Sequence, residues 1–214
     1  MAGGLAVAVV GAVALALGLA PARAQLFSSA PLDQQRFVVL GQPLAQGGWK
    51  LLVLEQIRQS PSCWQRRPDG LIDPSLIGFD FTGICNRYID SNGYSLRLGQ
   101  RDQALSHDLR LIPEGRQLLL LGLPRRGGDG VLIAQAPLPS RPRADAFVAL
   151  KLEAGWSLSR RTYNGQALSH VYFSGNGAPP AAGFSSGTGL ASPPPAKATG
   201  RSRVIPLKVV PFRP

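Results

Sequence analysis

The chain has 214 residues and a formal net charge of +11, with 25 Gly and 19 Pro beside 44% hydrophobic residues. That length suits one domain with a sizeable core plus extensions, and so many turn formers favour short strands over long helices. The two cysteines and two histidines lack the close-pair spacing of a zinc site, so none is expected.

From Met1 to Ala20 there is no charged side chain, only Met, Ala, Val, Leu and Gly. Pro21 and the small-x-small pattern Ala22-Arg23-Ala24 follow, so residues 1–24 read as a secretory signal peptide cleaved before Gln25. No Lys or Arg precedes the apolar stretch. The rival reading is an uncleaved anchor, because about 20 apolar residues span a bilayer; the Ala/Gly content, Pro21 and the cleavage pattern favour removal. The expected setting is the periplasm, cell envelope or extracellular space. Cys63 and Cys85, 22 positions apart, are then expected to form a disulfide, which exported compartments permit. Two buried free thiols are the alternative.

Residues 25–175 read as a β-rich domain. Phe37–Leu40 is an apolar run ended by Gly41 and Pro43, and Trp49–Ile57 reads as a strand after Gly47-Gly48. A turn-rich loop carries Cys63-Trp64, and Leu76–Ile84 is apolar up to Cys85. Asn92-Gly93 is a hairpin signal beside the alternating Tyr94–Leu98. Asp102–Leu111 is the best helix candidate, yet Leu109–Ile112 is equally strand-like. Leu118–Leu121, Val131–Ala134, Phe147–Leu152, Trp156–Leu158 and Val171–Phe173 complete the set, with Asn164-Gly165 a second hairpin signal. About nine short strands at this spacing predict an all-β, mainly antiparallel sandwich or barrel.

Residues 176–203 form a low-complexity Gly/Ala/Pro/Ser linker that cannot build a core. Residues 204–214 are an apolar and basic tail held extended by Pro206 and Pro211. Residues 176–214 hold five basic residues and no acidic one, half of the +10 that remains once Arg23 is removed. Gln103–His107 recurs letter for letter as Gln166–His170, which we read as coincidence in a Leu/Ala-rich chain.

Several motifs resemble chemistry and fail on context. Gly183–Gly187 matches G-x-S-x-G, but no acid or histidine follows it. Asp90–Gly93 resembles the start of a calcium loop, but Ser95 and Arg101 stand where Gly and Glu are needed. Ser106-His107-Asp108 holds triad letters on neighbouring positions, and strand neighbours face opposite ways. His107 and His170 are read as structural or exposed. Asp73, Asp80 and Asp90 are read as turn-binding carboxylates in preference to a glycosidase pair. Arg87-Tyr88 and Arg160–Tyr163 are read as solvated strand faces in preference to a nucleic-acid surface.

Leu52–Ile57, Cys63-Trp64, Phe79–Arg87, Asp90–Ser95, Gly155-Trp156, Arg161–Gly165 and His170–Tyr172 together resemble an uncharacterised family of exported cyanobacterial proteins, catalogued as domain of unknown function 3747. The resemblance spans roughly residues 35–175 and touches Ile205–Pro211. It implies a cyanobacterial envelope or extracellular setting and carries over no activity or functional residue.

These readings point to an exported non-enzymatic binding or structural module of the cell envelope. No catalytic, cofactor or metal residues are assigned. Expected partners, engaged through the basic tail, are acidic envelope polysaccharide, peptidoglycan or an envelope protein. Nucleic acid is not expected, and the membrane is expected only if the leader stays uncleaved. The alternative is an exported hydrolase whose site assembles from Asp and His residues of the β-domain.

Overall fold

The computed structural model describes residues 26–75 and 80–176. Residues 1–24, the 204–214 segment and the Gly183–Gly187 serine motif, each read from sequence above, lie outside the described residues. In chain order the first strands are β1 (Ser28–Pro31), β2 (Phe37–Pro43), β3 (Trp49–Gln56), β4 (Gln65–Arg66), β5 (Ile72–Asp73), β6 (Cys85–Tyr88), β7 (Tyr94–Leu98) and β8 (Arg101–Asp102). They are followed by β9 (His107–Glu114), β10 (Gln117–Pro124), β11 (Val131–Pro137), β12 (Val148–Ala149), β13 (Lys151–Leu152), β14 (Trp156–Tyr163) and β15 (Gln166–Gly175). A single 3-10 turn, Gln34–Arg36, is the only helical element among the described residues.

Three sheets surround one core. Their orders are β1-β14-β15-β7-β8, β12-β2-β3-β6 and β13-β11-β10-β9, and β4-β5 forms a small ribbon. Alternation explains the burial: Leu51 and Val53 of β3, Leu158 of β14, Val171 and Phe173 of β15, and Leu120 and Ile133 of the third sheet all enter the same core. The segment from β12 to β13 ties the second sheet to the third, since β12 pairs with β2 and β13 with β11. The expected all-β class holds. All pairings of named strands are antiparallel except β7 with β15.

The strand count is fifteen instead of about nine, because five two-residue strands fall in segments too short to show a period. The segment 102–111 resolves as a turn followed by a strand: Gln103 to His107 closes the turn, through His107 N donating to Gln103 O at 2.9 Å, and leads into β9. The twin sequences consequently differ in structure, the first a turn and the second the start of β15.

The two Asn-Gly signals also diverge. Asn164 and Gly165 have φ of 48° and 77° and join β14 to β15, the positive pair that a type I′ hairpin requires. Asn92-Gly93 turns the chain without forming a hairpin, because β6 belongs to one sheet and β7 to another. At Gly93 a Cβ would lie 3.0 Å from Tyr88 Cβ, so glycine here permits a close approach.

Between β3 and β6 the chain makes a long excursion that is pinned at both ends. Cys63 and Cys85 are joined, Cα–Cα 5.9 Å, and both are buried. The Gln56 side chain organises the return: its Oε1 accepts from Cys63 N at 2.8 Å, and its Nε2 donates to Pro61 O at 3.0 Å. Trp64, Ile72 and Phe147 then cover Leu40, Leu52 and Leu54 on the outer face of β2 and β3. Replacing both cysteines by serine is expected to lower unfolding stability by about 3 kcal/mol, the chain-entropy value for such a loop. Urea unfolding of the two forms measures this, and an equal midpoint would contradict it.

Candidate functional site

Among the described residues, the excursion leaves part of that outer face uncovered. A groove of about 1140 Å³ runs over it. Its floor is Leu52, Ile89 and Phe147, and its walls include Pro61 and Pro74. Three cations, Lys50, Arg67 and Arg87, and two carboxylates, Asp73 and Asp145, line it. Lys50 faces outward because its neighbour Leu51 faces the core, and Arg87 lies beside Leu54 in the β3–β6 register. Arg87 stacks over the Phe81 ring at 5.5 Å. Neither has an ion pair among the described residues, whereas the third cation, Arg67, is paired to Asp69 at 2.8 Å and to Asp145 at 3.5 Å.

A second cavity, of about 560 Å³, opens where β3, β9 and the start of β7 meet. Trp49, Tyr94, His107, Asp108 and Arg110 line it. Lys50 lines both cavities.

Two further constellations are buried. In the core, Arg160 Nη2 meets Glu55 Oε1 at 2.7 Å, and its Nη1 donates to the Tyr88 hydroxyl at 2.8 Å. Tyr88 in turn donates to Glu55 Oε2 at 2.5 Å, and Asn86 Nδ2 donates to the same oxygen at 3.0 Å. Burial raises the Glu55 carboxyl, but the bonds from Tyr88, Asn86 and Arg160, with the Arg160 charge, outweigh it and hold the group below 4.5. On the opposite face of the first sheet, Arg161 Nη2 meets Asp102 Oδ2 at 2.6 Å. The Tyr172 hydroxyl donates to the same oxygen at 2.8 Å and accepts from Arg161 Nε at 2.7 Å. Burial and the Asp102 bond push that phenol up to about 12.

Beside it lies a Ser–His chain. His170 Nδ1 is 2.8 Å from the Asn92 carbonyl, which only accepts, so Nδ1 carries the proton. Nε2 is then the acceptor for the Ser95 hydroxyl at 2.9 Å. Both residues are 5% exposed. Burial lowers the His170 pKa, the Asn92 bond opposes this, and the Arg161 charge adds to the lowering; the net result lies below 6.5.

The sequence candidates fall as follows. Asp73, Asp80 and Asp90 accept backbone N–H bonds from Ser75, Thr82 and Asn92, each two residues on, as turn carboxylates do. His170 is a buried hydrogen-bonded residue, and His107 lines the second cavity. Ser106 and His107 do meet, at 2.9 Å, because Ser106 lies in the turn before β9 and not within a strand. Asp108 stays out of that pair and binds Arg125 at 2.9 Å. Arg160 and Arg161 correct the expectation of a solvated face: each reaches a carboxylate in a mostly buried network. The groove cations were missed. Glu55 was missed too, although its alternation with Leu51 and Val53 on an apolar face is a readable signal. Among the described residues, no group of three His, Cys, Asp or Glu is placed to hold a metal ion.

Among the described residues, the geometry defines a β-domain with a disulfide-stapled excursion over a groove of mixed charge. The chain belongs to the family described as "Protein of unknown function (DUF3747)", which matches residues 4–178. No curated protein and no solved structure matches it.

A histidine held neutral by burial carries a pH signature. Its folded pKa lies below the unfolded value, so its contribution is fully present above about pH 6.5 and is lost as pH falls through the folded pKa. His107 is lowered by burial in the same direction. We therefore expect stability to fall on acidification below about pH 6.5, with a shallower fall in His170→Gln. Chemical denaturation across pH tests this, and an unchanged slope in the variant would assign the dependence elsewhere.

Proposed function

We propose that this protein is an exported, non-enzymatic binding module of the cyanobacterial cell envelope, and that its outer groove takes an acidic envelope polysaccharide. The leader, its small-x-small end, the buried disulfide and the family resemblance support the setting. The groove carries the reading: Lys50 and Arg87 stand over an apolar floor of Leu52, Ile89 and Phe147. Such a surface matches a ligand with carboxylates on a partly apolar ring backbone, since pockets bind through apolar lining with a few placed polar groups. The tail, with five basic residues and no acidic one, adds a sequence-independent attraction for the same polymer.

The test is charge reversal in the groove. Binding of the processed chain (residues 25–214) to polygalacturonate at about 0.15 M ionic strength, where exposed charges act only within a Debye length near 8 Å, is expected to weaken at least several-fold in Lys50→Glu/Arg87→Glu. The double variant keeps its melting temperature, because both side chains are exposed. Unchanged affinity would remove the groove from the reading.

One observation favours the hydrolase alternative. The Asn92 carbonyl, His170 and Ser95 are aligned as an orienting group, a base and a nucleophile are in acyl transfer. Their burial and the Arg161 Nη2 contact to Ser95 Oγ at 3.4 Å speak for a structural chain. A fluorophosphonate probe separates the two: the binding reading expects no adduct on Ser95, and an adduct lost in His170→Gln would overturn it.

A further inference from the structure

One residue, Lys50, lines both cavities, and it stands beside a gap in the second sheet. β6 pairs with β3 only from Val53 to Gln56, so residues 49–52 of β3 have no strand neighbour on that side. The chain leaving β6 passes there, with Ile89 lining the first cavity and Ser91 the second. On the β3 side of the gap, Lys50 lines both. The cavities thus share one wall residue and are bordered opposite it by residues two positions apart.

Their chemistry continues across the juncture. The first cavity carries the cations Lys50 and Arg87, neither of them ion-paired among the described residues, beside the Arg67–Asp145 pair and Asp73. The second offers the half-buried Trp49 ring, the His107 imidazole, and the Arg110 guanidinium on a side chain 65% exposed, only loosely paired to Asp108 at 3.8 Å. An aromatic face suits a sugar ring, and a guanidinium suits a carboxylate in two-point contact. Size points the same way: about 300–1,000 Å³ accommodates a drug-sized ligand, and the first cavity alone has about 1140 Å³.

We propose that the two cavities form one track, reading a linear acidic glycan over several consecutive units, with Lys50 at the junction and Arg110 and His107 as the distal subsite. This rests on the reading of the groove as an acidic-glycan site. It adds that the recognised unit is a chain and not a single sugar.

The experiment is a ladder of oligogalacturonides, from the monomer upward, titrated calorimetrically into the processed chain. A neutral oligosaccharide ladder of the same lengths serves as control. Affinity is expected to rise with length and then level off, the longer members gaining about tenfold or more over the dimer through the second, now intramolecular, contact. Arg110→Glu is expected to erase that gain and leave the dimer unchanged. His107→Gln, at a partly exposed position, is a second variant with the same expected pattern. Equal affinity at all lengths, or a length gain that survives both variants, overturns the track and leaves the groove standing. No binding of any acidic length, or equal binding of the neutral ladder, overturns the groove reading itself.

Discussion

The guanidinium of Arg160 crosses the core from β14 to β3 and β6, and the arrangement of the first two sheets depends on where it lands. It meets Glu55 and Tyr88 while lying near the Phe37 and Tyr88 rings, 5.9 and 5.8 Å from their centroids. A buried pair of this kind adds little net stability against an apolar substitute, yet losing one partner costs about 3–5 kcal/mol because the other charge is left without compensation. The docking of the first two sheets brings the two charges together. That docking also places β6: Tyr88 turns inward to Arg160, and Arg87, one position earlier on the strand, turns outward into the groove. Cys85 at the start of the same strand holds the excursion that walls the groove. Core electrostatics and surface site are therefore linked through four residues of one short strand.

Arg161 applies the same device on the other face. β14 and β15 lose their regular register between Arg160↔Val171 and Thr162↔Ala167, and a bulge re-aims side chains locally. Arg161 reaches Asp102 and Tyr172 and lies under the Phe27 ring at 4.6 Å. Phe27 precedes β1, so the first strand of the described domain closes over a network built from strands far downstream. The pairing of β1 with β14 must wait for most of the chain, a cost in loop closure that is typical of high contact order.

Strand periodicity was legible wherever a segment was long enough to alternate. β2, β3, β7, β10 and β11 follow directly from Phe37–Leu40, Trp49–Ile57, Tyr94–Leu98, Leu118–Leu121 and Val131–Ala134. The disulfide followed from having one cysteine pair. What stayed hidden depended on which strands become neighbours. Asn92-Gly93 and Asn164-Gly165 carry the same local turn chemistry, and only the second joins strands of one sheet. Arg160 and Arg161 look solvated in one dimension, because their carboxylates lie 105 and 59 positions away. Lys50 and Arg87 are ordinary strand charges until the excursion arches over them.

Satisfaction of polar groups separates the buried networks from the outer groove. Among the described residues, no buried side-chain nitrogen or oxygen lacks a hydrogen-bond partner. Ser95, His170, Tyr172, Glu55 and Asp102 have spent their capacity within the fold, and a ligand bonding to them must first displace a partner of equal quality. Exchange of one satisfied bond for another yields little free energy. Lys50 and Arg87 lie on the sheet and face solvent, with no ion pair among the described residues. The densest hydrogen-bond networks of the described residues are thus closed within the fold, and Lys50 and Arg87 stand solvated on the outer face, the two cations on which the proposed glycan reading rests.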